Sequence, residues 1–319
     1  MASTRDIRRR IKSIGNTQKI TRAMEMVSAA KMRKAVAGLL AVRPYAHTAW
    51  SVLTNLSRAF AATHSGLLEV REVKNVLAIA ITSNKGLCGP FNAQMIRKIR
   101  EEIRNPAKLK INYERGKEIR SNVADEDLRI DFVTIGRKGE GHIMGMGKKI
   151  VASFPGLTYL PKVEDVRSVG KIVINDYLAK KYDKVVIFYT DYISAITQET
   201  KVRQLLPISK IELEKEIAEM DILAKEYGLE EAKLEYKVEP EPQEVLEYIL
   251  PRLLEMQIYH AILESNASKE SARMMAMRNA TDAAGEMKND LTFVYNQIRQ
   301  MKITQEIAEI SAGRAALEN

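Results

Sequence analysis

The sequence is poor in cysteine, in aromatic residues and in long apolar runs, and each shortage excludes a class of protein. One cysteine, Cys88, occurs in 319 residues, which excludes an internal disulfide and predicts a reducing compartment. Aromatic residues make up only 6% of the chain, which favours cores packed from aliphatic side chains and from the 14 methionines. No run approaches the roughly 18 apolar residues that span a bilayer. The N-terminus has no apolar segment followed by a small-residue cleavage site, so we expect no signal peptide.

Positive charge is concentrated in the first 57 residues. They hold eleven basic and two acidic residues, which equals the net charge of +9 of the whole chain, so the other 262 residues sum to zero. The basic residues are Arg5, Arg8, Arg9, Arg10, Lys12, Lys19, Arg22, Lys31, Arg33, Lys34 and Arg43. Such a local excess of positive charge indicates what this segment binds rather than how it folds.

Both ends of the chain are predicted to be long helices. Residues 3–57 contain few helix breakers, and a helix of about fifty residues is roughly 75 Å long. The breakers in that segment are Gly15, Gly38 and Pro44. The second helix is predicted from Gln243 almost to the end of the chain, with Pro251 marking a start or a kink.

The two helices share a heptad pattern. In the C-terminal helix, steps of four and three residues alternate through Ala280, Ala284, Met287, Leu291, Val294, Ile298, Met301, Gln305, Ala308 and Ala312. In the N-terminal helix, the same steps run through Ile7, Ile11, Ile14, Gln18, Thr21, Glu25 and Ser28. A core helix of a globular fold seldom sustains such a pattern for over thirty residues, so we predict an antiparallel two-helix coiled coil. Its seam is predicted to contain Ile7, Ile11 and Ile14 of one helix and Met287, Leu291, Val294, Ile298 and Met301 of the other.

The middle of the chain alternates between strands and helices. We predict strands at 76–82, 130–136 and 184–190 and one that starts at Thr200, with helices at about 92–104 and 166–182. This order is typical of an α/β domain with a parallel sheet. The predicted fold class is therefore α/β plus long helices: a coiled coil of the terminal helices with a central Rossmann-like α/β domain. The predicted segments are residues 1–58, 73–210, an acidic connector at 211–242 and residues 243–319.

The sequence contains no recognisable catalytic, cofactor or metal site. Gly147 and Lys148 are followed by Lys149 rather than by Ser or Thr, and His142 stands where a phosphate-binding loop has its first glycine. In the other glycine cluster, Gly139 and Gly141 are followed by Gly145, one position too late for a dinucleotide fingerprint. The four histidines are scattered and have no metal-ligand spacing: His47, His64, His142 and His260.

For two groups of residues, a catalytic role remains an alternative to a structural one. Cys88 between Gly86 and Gly89 suits a small residue in a strand-to-helix turn, and the alternative is a nucleophile, for which no histidine stands nearby in sequence. The many glutamates at 212–247 suit a solvated face, and the alternative is a pair of catalytic acids.

Three functions compete for the basic helix. A zipper-type DNA-binding helix would use Lys and Arg against phosphates, but here the basic and heptad segments lie at opposite ends of the chain. A membrane-surface helix needs a strong face of Trp, Phe and Leu. Of the tryptophans and phenylalanines, only Trp50 and Phe60 occur in this part of the chain, both late. The third possibility is a helical shaft inside a protein sleeve with an acidic lining.

Four long motifs resemble the gamma subunit family of F-type ATP synthases. They are NTQKITRAMEMVSAAKMRK from Asn16, TSNKGLCGPFN from Thr82, ESNASKESARMMAMRNATDAAGEM from Glu264 and LTFVYNQIRQMKITQEIAEISAGRAAL from Leu291. They occur in the family's order, and the similarity runs from the first residues to the last, which makes the resemblance specific.

The resemblance implies a rotary central stalk without a catalytic site or cofactor of its own. The terminal helices would pass through the head of alpha and beta subunits, and the α/β domain would bind the epsilon subunit and the ring of membrane c subunits. Ion-driven rotation of that ring would make the asymmetric shaft distort each beta subunit in turn, so that ATP forms or is hydrolysed there. The implied location is peripheral, on the cytoplasmic face of a bacterial cell membrane, with no nucleic acid as a partner.

The resemblance also implies contacts for individual residues. The expected contacts with the alpha and beta subunits are Met24, Lys31, Arg33, Arg278, Arg299, Gln300, Thr304, Gln305 and Glu306. For Met24 the alternative is that its side chain packs against the other helix.

Two stretches depart from the family pattern. Residues 107–129 and 211–237 are longer than in the common bacterial form. The plastid members carry a regulatory cysteine pair, which a chain with Cys88 alone cannot form.

Overall fold

The computed structural model describes residues 4–55, 66–114, 117–125, 127–157, 161–209, 218–219, 221–222, 225 and 242–317. The chain divides into two compact units, Met1–Ser28 with Arg273–Asn319, and Ala29–Ala272. These units group residues by contact, so the four segments predicted from chain order stay a prediction. The predicted acidic connector, 211–242, lies for the most part outside the described residues.

The helices and strands confirm the predicted combination of long terminal helices with an α/β domain. In chain order they are α1 (Thr4–Asn55), β1 (Asn75–Ile81), α2 (Phe91–Arg104), β2 (Ile111–Glu114), β3 (Lys117–Arg120), β4 (Arg129–Ile135), a 3₁₀ turn (Arg137–Gly139), α3 (Glu140–Gly145), β5 (Ile150–Phe154), α4 (Val163–Leu178), β6 (Lys184–Tyr192), β7 (Gln198–Leu206) and α5 (Pro242–Leu317).

The two terminal helices are 52 and 76 residues long. Helix α1 continues through Pro44, and helix α5 continues through Pro251. Of the two alternatives predicted for Pro251, a helix start or a kink, the start was wrong, because α5 begins at Pro242. Proline suits that first position, where its missing N–H has no helical partner to lose.

The unit Ala29–Ala272 contains a five-stranded sheet in the order β5-β4-β1-β6-β7. Strands β5, β4, β1 and β6 are parallel, as predicted, whereas the edge strand β7 is antiparallel to β6. The predicted parallel sheet is therefore corrected to a mixed one. The cause is the short connection at residues 193–197, since parallel neighbours need a crossover of a dozen or more residues.

Both faces of the sheet are covered, which explains the nearly continuous apolar strands. On one face, Leu77 and Ile187 belong to a buried cluster with residues of α4 and of α5, such as Val169 and Leu254. On the other face, a separate cluster includes Met95 and other residues of α2. A strand that is buried on both sides loses the polar alternation of a surface strand, as in the sequence NVLAIAI of β1.

Three elements of this unit were not predicted: the hairpin β2–β3, strand β5 and the short helix α3. Each strand of the hairpin has four residues, and its sequences INYE and KEIR are largely polar. Such segments carry too little apolar pattern to be distinguished from a loop. The hairpin lies within 107–129, one of the two stretches expected from the sequence to be longer than in the common bacterial form.

Gly136 fixes the junction after β4. Its φ is +95°, and a Cβ at this position would lie 2.2 Å from the carbonyl oxygen of Thr82. The Thr82 hydroxyl donates to the Gly136 carbonyl at 3.0 Å, and the Thr82 N–H donates to the Ile135 carbonyl at 2.8 Å. Only glycine satisfies both the backbone angle and the close approach.

Part of α5 belongs to the core of this unit. The Thr190 N–H donates to Ser265 Oγ at 3.1 Å, and the Ser268 hydroxyl donates to the Thr190 carbonyl at 3.2 Å. Small apolar residues of α1 pack on the same stretch of α5, with Ala35 and Val36 in one cluster with Ala267. Hydroxyl side chains here satisfy strand groups at the end of β6, which the sequence pattern of α5 did not indicate.

Candidate functional site

The unit Met1–Ser28 with Arg273–Asn319 consists of two antiparallel helices in close contact. The Thr281 hydroxyl donates to Thr21 Oγ1 at 2.8 Å, and a Cβ on Gly285 would lie 3.0 Å from Gln18 Nε2. The partner residue number falls from 21 to 18 as the number in α5 rises from 281 to 285, which makes the pair antiparallel. The buried residues of this unit among those described are Ile7, Thr21, Ser28, Met277 and Thr281.

The residues predicted for the heptad seam differ in burial. Ile7 is buried, and Ile11, Ile14, Leu291 and Ile298 are half-buried. By contrast, the exposed fractions of three predicted seam residues of α5 are 54% for Met287, 38% for Val294 and 56% for Met301.

The face of α5 that contacts α1 differs from its most apolar face, because the two helices approach each other at small residues. Thr281 and Gly285 form the closest approaches, and neither belongs to the predicted pattern. A residue without a bulky side chain lets two helix axes approach, whereas methionine and valine hold them apart. A heptad count that favours large apolar residues therefore selects 287 and 294, whose side chains are exposed, whereas Met301 is in register with residues before Thr4, outside the described part of the chain.

The C-terminal part of α5 presents large apolar side chains to solvent. Its exposed large apolar residues are Met287, Phe293, Val294, Met301, Ile303, Ile307 and Ile310. Every described residue from Arg299 to Arg314 is exposed. Met287, Val294 and Met301 share one face of the helix, and Ile303, Ile307 and Ile310 share another. Exposed apolar side chains grouped in this way typically mark binding surfaces for another protein.

The basic residues of α1 face solvent. Nine of them are exposed: Arg5, Arg8, Arg9, Arg10, Lys12, Lys19, Arg22, Arg33 and Lys34. Two acidic side chains lie close to this group, with Asp6 4.0 Å from Arg9 and Glu25 3.1 Å from Arg22. Exposed pairs of this kind stabilise a fold little, so the positive surface remains available to an acidic partner.

The structure places the predicted head contacts in both units. Met24 is half-buried in the helix pair, whereas Lys31, half-buried, and Arg33, exposed, belong to the unit Ala29–Ala272. The predicted contacts on α5 are all exposed: Arg278, Arg299, Gln300, Thr304, Gln305 and Glu306. Their contacts with other subunits stay a prediction. Sequence reasoning did not single out Phe293, Ile303 and the other off-seam apolar residues, although their exposure suits the same kind of surface.

A group of ionisable side chains is buried in the unit Ala29–Ala272. The Arg203 guanidinium lies 5.0 Å from the centre of the Tyr189 ring, and His260 Nδ1 lies 3.6 Å from Glu264 Oε2. Complete burial, together with the Arg203 charge, lowers the pKa of His260 to about 3. Burial, with the Glu264 charge second, raises the pKa of Tyr189 well above its ordinary value. Both rings are therefore neutral at neutral pH, which suits packing residues better than an acid–base pair.

The sites considered from sequence take the following places. Cys88 is buried with Phe91 and Ala272, and the Asn92 side-chain amide donates to its sulfur at 3.2 Å. Among the described residues, no group of three or more His, Cys, Asp or Glu side chains has the arrangement of a metal site. None of the described helices is long and apolar enough to cross a membrane.

The chain is similar to known proteins along its whole length. It matches the ATP synthase family over residues 3–317. It is 38% identical to the ATP synthase gamma chain of Roseiflexus castenholzii, with 99% of both chains covered. It is 37% identical to the ATP synthase gamma chain of Legionella pneumophila strain Corby, covering 99% of this chain and 100% of the relative.

Solved structures share the fold at lower identity. A chain of the OSCP, F1 and c-ring structure of the Euglena gracilis mitochondrial ATP synthase has a TM-score of 0.59 and 16% identity, with 98% of this chain and 94% of that chain covered. A chain of the Tetrahymena thermophila mitochondrial central stalk and c-ring has a TM-score of 0.54 and 24% identity, with 82% and 99% covered.

Proposed function

The chain belongs to the ATP synthase gamma chain family, and on this basis we propose that it is the rotary central stalk of an F-type ATP synthase. The observation that carries this proposal is the family match over residues 3–317, which includes both terminal helices and the α/β domain. The stalk couples rotation of the c-subunit ring, driven by ions, to ATP synthesis or hydrolysis at the beta subunits. The chain contributes no catalytic residue and no cofactor.

The surface of α5 supports a place inside a protein head. Residues Arg299 to Arg314 are all exposed, and Met301, Ile303 and Ile307 among them are large and apolar. Burial of apolar surface against alpha and beta subunits gives these side chains a partner. Arg299, Gln300, Thr304, Gln305 and Glu306 provide the polar contacts along the same stretch.

The positive surface of α1 supports an acidic partner around the shaft. Long-range attraction between opposite charges does not depend on interlocking side chains, so it holds a rotating helix without fixing one angle. Lys31 and Arg33 take part in this attraction, with Arg278 on the C-terminal helix. Met24 lies at the border between the helix pair and this surface.

The remaining partners follow from membership of the family. The α/β domain binds the epsilon subunit and the ring of c subunits, which links the chain to the membrane through the complex. In a bacterial cell this places the chain on the cytoplasmic face of the membrane.

Assembly with the other subunits tests the proposal. We expect the tagged chain, co-expressed with alpha, beta and epsilon subunits of its own organism, to purify with the alpha and beta subunits and with ATPase activity. Ile307→Asp removes an exposed apolar side chain from α5 and should weaken assembly, whereas Ser311→Asp adds the same charge one turn further on and should weaken it less. A chain that stays monomeric with all partners present would contradict the proposal.

Coupling tests the shaft surface more finely. Met24→Lys adds a cation which, facing a carboxylate 4 Å away at an effective dielectric of 20, gains about 4 kcal/mol before desolvation is subtracted. We expect the variant to fold, because a long side chain can reach solvent, and to lower ion pumping per ATP hydrolysed. Ala23→Lys, at the neighbouring exposed position, is the control. If Met24→Lys unfolds the helix pair, Met24 packs against α5 instead.

A further inference from the structure

Helix α2 presents a row of three arginines to solvent. Arg97, Arg100 and Arg104 are all exposed, and they follow one another at steps of three and four residues. At 3.6 residues per turn, these steps place the three side chains within about 60° of the helix circumference and over a length of about 10 Å. The opposite face of α2 is buried and includes Met95 and Ile99. The three arginines are called the arginine row below.

The arginine row has no carboxylate partner within the described part of the chain. Helix α2 contains two acidic residues, Glu101 and Glu102, and both contact Lys98 rather than the row. The Lys98 ammonium lies 3.6 Å from the Glu101 carboxylate and 3.0 Å from the Glu102 carboxylate. Among the residues that the structure describes, none of the three arginines makes an ion pair.

The arginine row lowers the stability of α2. Like charges three or four residues apart repel each other on a helix surface, and the row contains two such pairs, Arg97 with Arg100 and Arg100 with Arg104. The helix dipole favours Arg104, which lies in the last turn, but its effect falls off within one turn and does not reach Arg97. Packing offers no compensation, because all three side chains are exposed. A bound group of opposite charge would offset this repulsion.

The surroundings of the arginine row favour an acidic protein over a membrane. None of the exposed large apolar residues in the described part of the chain belongs to α2, so this face has no side chain that could insert into lipid. The exposed Glu101 beside the row would repel a layer of anionic headgroups. Each guanidinium can donate two parallel hydrogen bonds to one carboxylate, and carboxylates on successive turns of a partner helix have the same spacing as the row.

We propose that the arginine row binds an acidic segment of another subunit of the same complex. The segment carries three carboxylates on one face, and each accepts hydrogen bonds from one guanidinium of the row. The inference rests on the proposed function, because the other subunits of the complex are the available partners. It adds a binding surface on α2, a helix that the predicted head contacts do not include.

Photo-cross-linking in the complete complex, purified with all subunits of its own organism, tests the proposal. A benzophenone amino acid replaces Ala93, which is exposed one turn before Arg97 on the same face. We expect one main product, in which this position is joined to a peptide of another subunit with three or more Asp or Glu residues. The same label at Ser168, exposed on α4, should give at least tenfold less of that product. A product with lipid, a product with a peptide that lacks acidic residues, or equal yields at the two positions would overturn the proposal.

Charge reversal tests the role of the arginines themselves. Arg97→Glu combined with Arg100→Glu should lower the yield of the product from position 93 at least tenfold, and Arg97→Gln with Arg100→Gln should lower it at least threefold. The matched control is Arg167→Glu with Lys171→Glu on α4, where both side chains are exposed and make no ion pair within the described residues. This control should leave the yield unchanged.

A charge swap separates binding from folding. Changing two of the cross-linked carboxylates of the partner to Lys should restore the yield in the variant with Arg97→Glu and Arg100→Glu, which a role of the arginines in folding alone would not allow. Purification with alpha and beta subunits and ATPase activity reports separately on the proposed function. If the complex assembles and the charge reversals on α2 and on α4 have equal effects, or the swap restores nothing, the arginine row does not bind an acidic segment.

Discussion

The contact between Thr21 and Thr281 should control the stability of the helix pair. The exposed fractions are 9% for Thr21 and 7% for Thr281, and the two hydroxyls are 2.8 Å apart. Thr281→Val keeps the shape of the side chain and removes the donor, which should cost about 1 kcal/mol. Thr281→Asp places an unpaired carboxylate at the closest point between the helices, and we expect a loss of about 3 kcal/mol.

A matched control is available two residues away. Ala283 is exposed on the same helix, so Ala283→Asp adds the same charge without burying it. Its effect should stay within about 0.5 kcal/mol, as for most surface substitutions.

Hydrogen exchange followed by mass spectrometry measures the effect locally. Peptides from residues 4–28 and 273–298 report on the helix pair, and peptides of β1 and β6 report on the sheet. A loss of about 3 kcal/mol should speed exchange in the helix pair by roughly a hundredfold where opening of the pair limits exchange, because each 1.4 kcal/mol is a factor of ten. If the peptides of the helix pair exchange at the same rate in the Thr281→Asp and Ala283→Asp variants, Thr281 is not at the helix contact.

Three further predictions concern the α/β unit and nucleotide binding by the isolated chain. Gly136→Ala should cost more than about 3 kcal/mol in urea unfolding, because it combines a left-handed backbone with a Cβ 2.2 Å from the Thr82 carbonyl. Gly141→Ala, in a helix with open space around it, should be nearly neutral, and equal losses would show that Gly136 is not constrained. The pKa of His260 is lowered to about 3 in the fold, so its contribution to stability is present above the unfolded pKa of about 6.5 and is lost as pH falls from there towards 3. Protonation of this group alone should lower the free energy of unfolding by about 2 kcal/mol between pH 7 and pH 5. His260→Gln should remove that part of the loss, and urea unfolding midpoints at both pH values measure it. An unchanged pH dependence in the variant would show that His260 is not responsible. The isolated chain should neither bind nor hydrolyse ATP, since Gly147 and Lys148 lack the rest of a phosphate-binding loop; stoichiometric nucleotide binding that Lys148→Ala abolishes would contradict this.

Several features of the protein could be predicted from the sequence because they depend on local chemistry. The long terminal helices follow from the shortage of breakers, and strands β1, β4 and β6 follow from short apolar runs bounded by turn residues. The positive surface of α1 follows from the concentration of basic residues before residue 58, nine of which are exposed in the described part of the chain. Each of these properties is set by residues near one another in the chain. The family motifs lie in the two terminal helices and in the turn after β1.

Contacts between distant residues were decided only by the tertiary structure. Heptad counting predicted Met287, Val294 and Met301 as seam residues, but the helices approach most closely at Thr281 and Gly285, where small side chains allow it. The antiparallel direction of β7 depends on its turn with β6, and the hairpin β2–β3 depends on pairing between two polar segments that have little pattern of their own. Arg71 and Asn112 are 41 residues apart in the chain, and their hydrogen bond forms only because that hairpin lies against the segment before β1, a contact that no pattern in the sequence indicated.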